Sequence, residues 1–158
     1  MKKSLVVYFS ASGITADLAH RLSSCIEADT YEIRPQIPYT KADLNWLDKN
    51  SRSSLEMEDL SSRPAIVLPV PDVQQYDVVF VGFPVWWYRE PSIIDTFMEA
   101  CKWSGQTVVP FATSGTSSIG NSGKNLQRLA PSTTVKDGKR LDADTSEETL
   151  AAWAKTYL

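Results

Sequence analysis

Along the chain, unbroken apolar runs alternate with segments whose apolar residues recur every third or fourth position. Leu5 to Phe9, "LVVYF", is a β-rich run of the kind that forms a strand covered on both faces, as in parallel sheets. "DVVFVGF", Asp77 to Phe83, is a second such run, and "QTVVPFATSG", Gln106 to Gly115, contains a third. After the first run the period changes: from Ile14, the residues Leu18, Leu22, Cys25 and Ile26 form one helical stripe. Pro91 stands near a second helix start, with Ile93, Ile94, Phe97, Met98 and Cys101 on one face. "GNSGKNLQRLA" predicts a short helix capped by Asn121 or Ser122. A last helix opens where Thr145 and Glu148 have capping-box spacing and runs through Leu150 and Trp153 to Tyr157. "TYEIR", Thr30 to Arg34, alternates and carries charge, as an edge strand does. The polar connection from Pro35 to Pro71 holds one modest helix, predicted around Ser54 to Leu60.

This alternation is the signature of an α/β domain, with a parallel sheet and helices on both faces. Pro110 sits awkwardly in it, because a proline inside a central strand removes a ladder hydrogen bond. A strand end or a bulge would accommodate it.

Size and composition narrow the picture. The chain has 158 residues, 42% of them hydrophobic, which fits a single domain over residues 1–158 with a real core. A net charge of -3 argues against a nucleic-acid footprint. Cys25 and Cys101 are far apart and lack the close Cys/His spacing of metal sites, so they read as free thiols in a reducing compartment. "MKKSLVVYF" is too short for a signal-peptide core, and no segment approaches the roughly 18 apolar residues of a membrane span. The expectation is a cytoplasmic protein without membrane insertion.

In open α/β sheets, ligands sit beyond the carboxyl ends of the strands, which selects three loops. "SASGIT" offers the hydroxyls of Ser10, Ser12 and Thr15, a glycine, and the amides that open the first helix. Amides and the positive end of a helix dipole make an anion site, although the same residues also serve as plain helix caps. The loop contains no Lys or Arg and matches neither G-x-x-x-x-G-K-[ST] nor G-x-G-x-x-G. It therefore suits one terminal phosphate monoester. "PVWWYREP" places Trp86, Trp87 and Tyr88 in succession without the period that would bury all three, a composition suited to stacking on a flat ring. "TSGTSSIG" adds Gly115 and Gly120 among hydroxyls and can bring backbone donors to a polar ligand edge. A ligand with a phosphate at one end, an aromatic plate at the other and polar edges between them answers all three loops. FMN has that shape.

"YFSASGITADLAHRL" resembles the phosphate-loop segment of flavodoxin-like proteins, whose pattern is [ST]-x-[ST]-G-x-[TN] after the first strand. "GFPVWWYREPS", "TSGTSSIGNS" and "DLNW", Asp43 to Trp46, are similar to a flavodoxin-like subfamily with a proline-aromatic loop, and the likeness runs from Leu5 to about Arg128. The resemblance implies a flavodoxin-like doubly wound sheet of five parallel strands in the order 2-1-3-4-5. It also implies FMN as cofactor, with Ser10, Ser12, Gly13, Ile14 and Thr15 on its phosphate. Pro84, Val85, Trp86, Trp87 and Tyr88, with Thr113, Ser114, Gly115, Thr116, Ile119 and Gly120, would contact the isoalloxazine. The implied function is redox: electron transfer, or two-electron reduction of a small acceptor such as a quinone, with a small-molecule or protein redox partner. By analogy the chain works as a monomer or a homodimer.

Two departures from the family pattern bear on that choice. Electron carriers are strongly acidic around the flavin, whereas this chain is mildly acidic. No glycine lies between Pro84 and Pro91, where a permissive residue lets a peptide flip toward the half-reduced flavin, so two-electron chemistry is expected. A flavin-free regulatory module on the same fold is the alternative, but receiver-like domains need acidic residues where this chain has Ser10 and "GFPVWW". Serine hydrolysis would need His20, the only histidine, which lies off the Leu18–Leu22 stripe and reads as a solvated helix residue. Trp46 is expected to cover a sheet edge, and Glu56, Glu58 and Asp59 to form a solvated helix face.

Overall fold

A computed structural model describes residues 2–114 and 118–158. The strands are β1 (Ser4–Tyr8), β2 (Asp29–Glu32), β3 (Val78–Pro84), β4 (Thr107–Thr113), β5 (Thr134–Val135) and β6 (Lys139–Leu141). The helices are α1 (Ile14–Ile26), α2 (Arg52–Glu58), α3 (Ser92–Ala100), α4 (Ser122–Leu129) and α5 (Glu147–Lys155). All strand pairings in the sheet are parallel, in the order β2-β1-β3-β4-β5, with β6 also on β4. β5 and β6 are two pieces of one fifth strand, so the sheet has the flavodoxin-like order 2-1-3-4-5.

The alternation of side chains along each strand divides the core into two. Val6, Val78, Phe80, Val109 and Phe111 pack against Leu18, Ala19, Leu22 and Ile26 of α1 and Leu150 and Ala154 of α5. On the opposite face, Leu5, Val7, Val79, Val81, Phe83 and Ala112 meet Ile93, Ile94, Phe97 and Met98 of α3 and Leu126 of α4. Burial on both sides is why the three runs are apolar throughout rather than alternating.

Pro110 sits within β4, opposite Val81 of β3. The Val108 carbonyl accepts from the Lys136 amide, so residue 108 and, two positions on, residue 110 face the fifth strand. That strand breaks between β5 and β6 where Pro110 lacks a donor. Gly138 has φ +73 there, and a Cβ on it would lie 2.1 Å from the Pro110 carbonyl oxygen. The break thus answers the missing ladder bond.

Several local expectations are corrected. α2 spans Arg52–Glu58 rather than 54–60, with the Ser51 side chain accepting from the Ser54 amide. α5 is capped by Ser146, whose side chain accepts from the Thr149 amide, while the Thr145 hydroxyl turns back to the Asp142 carbonyl. Neither Asn121 nor Ser122 caps α4 through its side chain, the Ser122 hydroxyl donating to the Ile119 carbonyl instead. Trp46 covers no sheet edge and is 68% exposed. Glu56 is not solvated, since it binds both Tyr39 and Arg52. Among the described residues, no helix is long and apolar enough to cross a membrane.

Candidate functional site

The loops after β1, β3 and β4 leave the same edge of the sheet, at the carboxyl ends of its three central strands. β1 leads to β2 on one side while β3 lies on the other, so the winding reverses here, the point at which open α/β sheets bind their ligands.

The first loop is organised by Ser10. Its Oγ accepts from the amides of Gly13 and Ala16, each at 3.1 Å. Gly13 takes φ +92 as the N-cap of α1 and makes no side-chain cap bond, so the capping role falls on Ser10 and not on Ser12 or Thr15. The amides of Ala11, Ser12, Ile14 and Thr15 donate to no protein acceptor among the described residues. A helix start with free amides and an exposed Ser12 hydroxyl is a cradle for a small anion. Thr15 is buried, and its hydroxyl is 2.8 Å from that of Thr113 at the end of β4. Its contribution to an anion is therefore through the backbone.

The second loop is a tight turn. Trp86 and Arg89 exchange both backbone hydrogen bonds, at 3.0 and 3.2 Å. Between them, Trp87 and Tyr88 have φ +47 and +64. Two left-handed central residues define a type I′ turn, ordinarily built from Asn or Gly. The chain thus reaches left-handed geometry here without glycine, against about 1–2 kcal/mol of strain per residue. Trp86 faces inward, forming a three-ring cluster with Phe9 and Tyr39 in which each pair of centroids is 5.7 Å apart. Trp87 and Tyr88 stand out toward solvent, 44% and 72% exposed. One aromatic anchors the loop, and the other two offer faces.

Of the third loop, Thr113, Ser114, Ile119 and Gly120 are described, while the predicted contacts Gly115 and Thr116 lie outside the described residues. The Asn121 amide donates to the Tyr88 carbonyl at 3.4 Å. Gly120 has φ +63, and a Cβ there would sit 1.9 Å from the Tyr88 carbonyl oxygen, so only glycine lets this loop lie against the aromatic turn. Val85, whose amide donates to the Thr113 carbonyl, and Pro84, paired with Thr113 across the ladder, form the floor between the two loops. The sequence-predicted residues that are described are therefore brought together at one mouth, with Thr15 beneath it.

A model of the flavodoxin family matches residues 3–157. The chain belongs to the flavodoxin family. A crystal structure of a candidate flavoprotein from Bacteroides eggerthii is 48% identical, covering 99% of this chain and 98% of that one with a TM-score of 0.92. A similar protein from Bacteroides uniformis is 46% identical over 98% of both chains, with a TM-score of 0.91. A flavoprotein in complex with FMN from Lactobacillus acidophilus is 22% identical over 99% of both chains, with a TM-score of 0.72, and shares the fold. A search of the curated proteins gave no match.

Sequence reasoning missed the charged residues that support this flavodoxin-family mouth from behind. Tyr39 donates to Glu56 Oε1 at 2.6 Å, and the Arg52 guanidinium lies over its ring, 3.8 Å from the centroid. Burial and the Glu56 carboxylate push the Tyr39 phenol well above its ordinary value, so it stays a hydrogen-bond donor. Behind the turn, Arg89 donates to the Met57 carbonyl and the Ser92 hydroxyl, both at 3.2 Å. Ser92 in turn donates to the Glu56 carbonyl, and Asn125 of α4 donates to Glu90 Oε1 at 3.1 Å. These polar residues carry no periodic signal. The one available cue was "REP", two charges placed immediately before a buried helix.

Proposed function

We propose that this protein binds FMN at the mouth of the three loops and acts as a redox protein, its partner being a small molecule or another protein. The carrying observation is the row of amides at the start of α1 that no described residue accepts from, set beside an aromatic turn whose Trp87 and Tyr88 faces are exposed. The amides and the Ser12 hydroxyl would hold the terminal phosphate, and the aromatic turn and the Gly120 loop would flank the ring system. Support comes from membership of the flavodoxin family and from the FMN complex of the Lactobacillus relative. Bound there, FMN supplies the electron-accepting ring, while the protein supplies orientation and electrostatics.

Within that class, the turn favours reduction in one two-electron step, with a small acceptor such as a quinone as substrate. Flipping the Trp87–Tyr88 peptide would turn a type I′ turn into type II′, which takes glycine at its first central position. Trp87 occupies that position, so the peptide stays as it is.

The test is a visible absorption spectrum of the purified protein with and without added FMN, followed by anaerobic reduction and an assay of quinone turnover with NAD(P)H. A bound-flavin spectrum and direct passage to the fully reduced form are expected. A folded protein that binds no FMN would move the weight to a flavin-free module.

A further inference from the structure

The segment that closes the aromatic turn carries an ionic cluster whose charges do not balance without a proton. Glu90 is 0% exposed and Asp95, on the first turn of α3, is 1% exposed. Arg89 faces both, at 3.8 Å from Glu90 and 3.6 Å from Asp95, but spends its donors elsewhere: on the carbonyls of Glu90 and Met57 and on the Ser92 hydroxyl. Arg63, from the segment after α2, pairs through Nε with Glu99 and lies 3.9 Å from Asp95. Glu56 of α2 is taken up by Arg52 and Tyr39. One buried guanidinium, Arg89, thus meets two buried carboxyls, Glu90 and Asp95, while the partly exposed Arg63 is engaged by Glu99, whose side chain is half exposed. With both buried carboxyls ionised, one negative charge beyond that of Arg89 would sit in the interior, faced only by Arg63 at 3.9 Å from Asp95, and burying such a charge is costly.

The hydrogen-bond inventory points the same way. Glu90 Oε1 has Asn125, whereas Glu90 Oε2 and both oxygens of Asp95 are buried with no hydrogen-bond partner among the described residues. Adjacent carboxyls with orphaned oxygens are what a missing hydrogen leaves behind, because two carboxylates can only accept. One proton on Asp95, donated to Glu90, satisfies an oxygen on each and neutralises the excess charge. Burial, followed by the hydrogen bond to Glu90 and its charge, drives the Asp95 carboxyl far above its ordinary range, against the opposing pull of Arg89 and Arg63.

The cluster's position gives the proton a role. Arg89 ends the turn that presents Trp87 and Tyr88, and it reaches α2 through Met57. Glu90 reaches α4 through Asn125, just beyond the Gly120 loop. We propose that Glu90 and Asp95 share one proton, that the protonated pair positions the aromatic turn against α2 and α4, and that its ionisation at alkaline pH releases the turn and weakens FMN binding. The last clause rests on the FMN reading above. Asp95 is thus a positioning residue, acting on the ligand through Arg89 and Glu90.

The experiment compares the full-length wild type with Asp95→Asn, whose amide donates to Glu90 at every pH. In the FMN-free protein, infrared difference spectra between the two should show a protonated-carboxyl band at neutral pH that disappears on alkaline titration. In FMN titrations, the wild-type dissociation constant should rise about fivefold or more between about pH 7 and about pH 10, and that of Asp95→Asn by less than about twofold. Ionisations of FMN itself are common to both proteins and cancel in the comparison. Should Asp95→Asn fail to fold, Glu90→Gln serves: it removes the neighbouring charge, so the band should titrate at lower pH. Absence of the band at neutral pH would overturn the shared proton, and parallel FMN profiles would overturn the positioning role. A protein that bound no FMN at any pH would refute the FMN reading and the release clause with it, while the infrared band would still decide the shared proton.

Discussion

Thr15 and Thr113, 98 positions apart in sequence, share a buried hydrogen bond of 2.8 Å between their hydroxyls. One stands at the start of α1 beneath the anion cradle, the other at the end of β4 beneath the third loop. The bond fixes the start of α1 relative to the end of β4, and so the first loop relative to the third. Thr15→Val or Thr113→Val alone leaves one buried hydroxyl unpaired and should cost about 1–3 kcal/mol. The double variant should lose less than the sum, because neither hydroxyl then remains. Urea denaturation of all four proteins measures this coupling.

Gly120 lies where a Cβ would overlap the Tyr88 carbonyl oxygen at 1.9 Å. Gly120→Ala should therefore force the third loop away from the aromatic turn and weaken FMN binding about tenfold or more, roughly 1.4 kcal/mol or greater. Gly105→Ala is the matched control: φ is +89 there, but the space is open, so stability falls by about 1–2 kcal/mol with FMN affinity intact. Calorimetry and FMN titration of the two variants separate contact from strain.

Trp87 holds left-handed backbone geometry without being glycine. Trp87→Gly frees the peptide to flip and removes a stacking face worth about 0.5–1.5 kcal/mol. The expected outcome is weaker FMN binding together with a reductive titration that passes through an intermediate spectrum absent from the wild type. An unchanged titration would separate the turn from the electron count.

Tyr39 should remain un-ionised in the folded protein well beyond the ordinary tyrosine range near 10. With its folded value raised above the unfolded one, its contribution to stability is complete below about pH 10 and is lost as pH rises further. Tyr39→Phe should accordingly leave the phenolate absorbance titration of the folded protein unchanged up to about pH 11. It should also loosen the Phe9–Trp86 wall, visible as altered tryptophan fluorescence.

The parts of this molecule legible in the sequence are those that burial writes as a period. Leu5 to Phe9 and Val78 to Phe83 are apolar throughout because both faces of β1 and β3 are covered, and the α1 stripe through Leu18 and Leu22 meets the sheet as its spacing implies. The three loops followed from strand ends alone. The supports behind them did not. Tyr39 lies in the aperiodic 35–71 connection, and its importance comes from Glu56 and Arg52, which reach it only in three dimensions. Arg89, Glu90 and Asp95 are charged residues at buried positions, the reverse of what hydropathy leads one to expect. Trp46 misled in the other direction, its size pointing to burial while the chain holds it in an exposed turn.

In the proposed site the start of α1 holds the phosphate of FMN and the aromatic turn flanks its ring. Equilibrium titration of the protein with FMN and, separately, with riboflavin, followed by tryptophan fluorescence, tests both halves at once. Saturable one-to-one quenching by FMN is expected, with riboflavin binding weaker by about tenfold or more, the difference being the phosphate on the α1 amides. Equal affinities, or no quenching by either ligand in a folded protein, would contradict it.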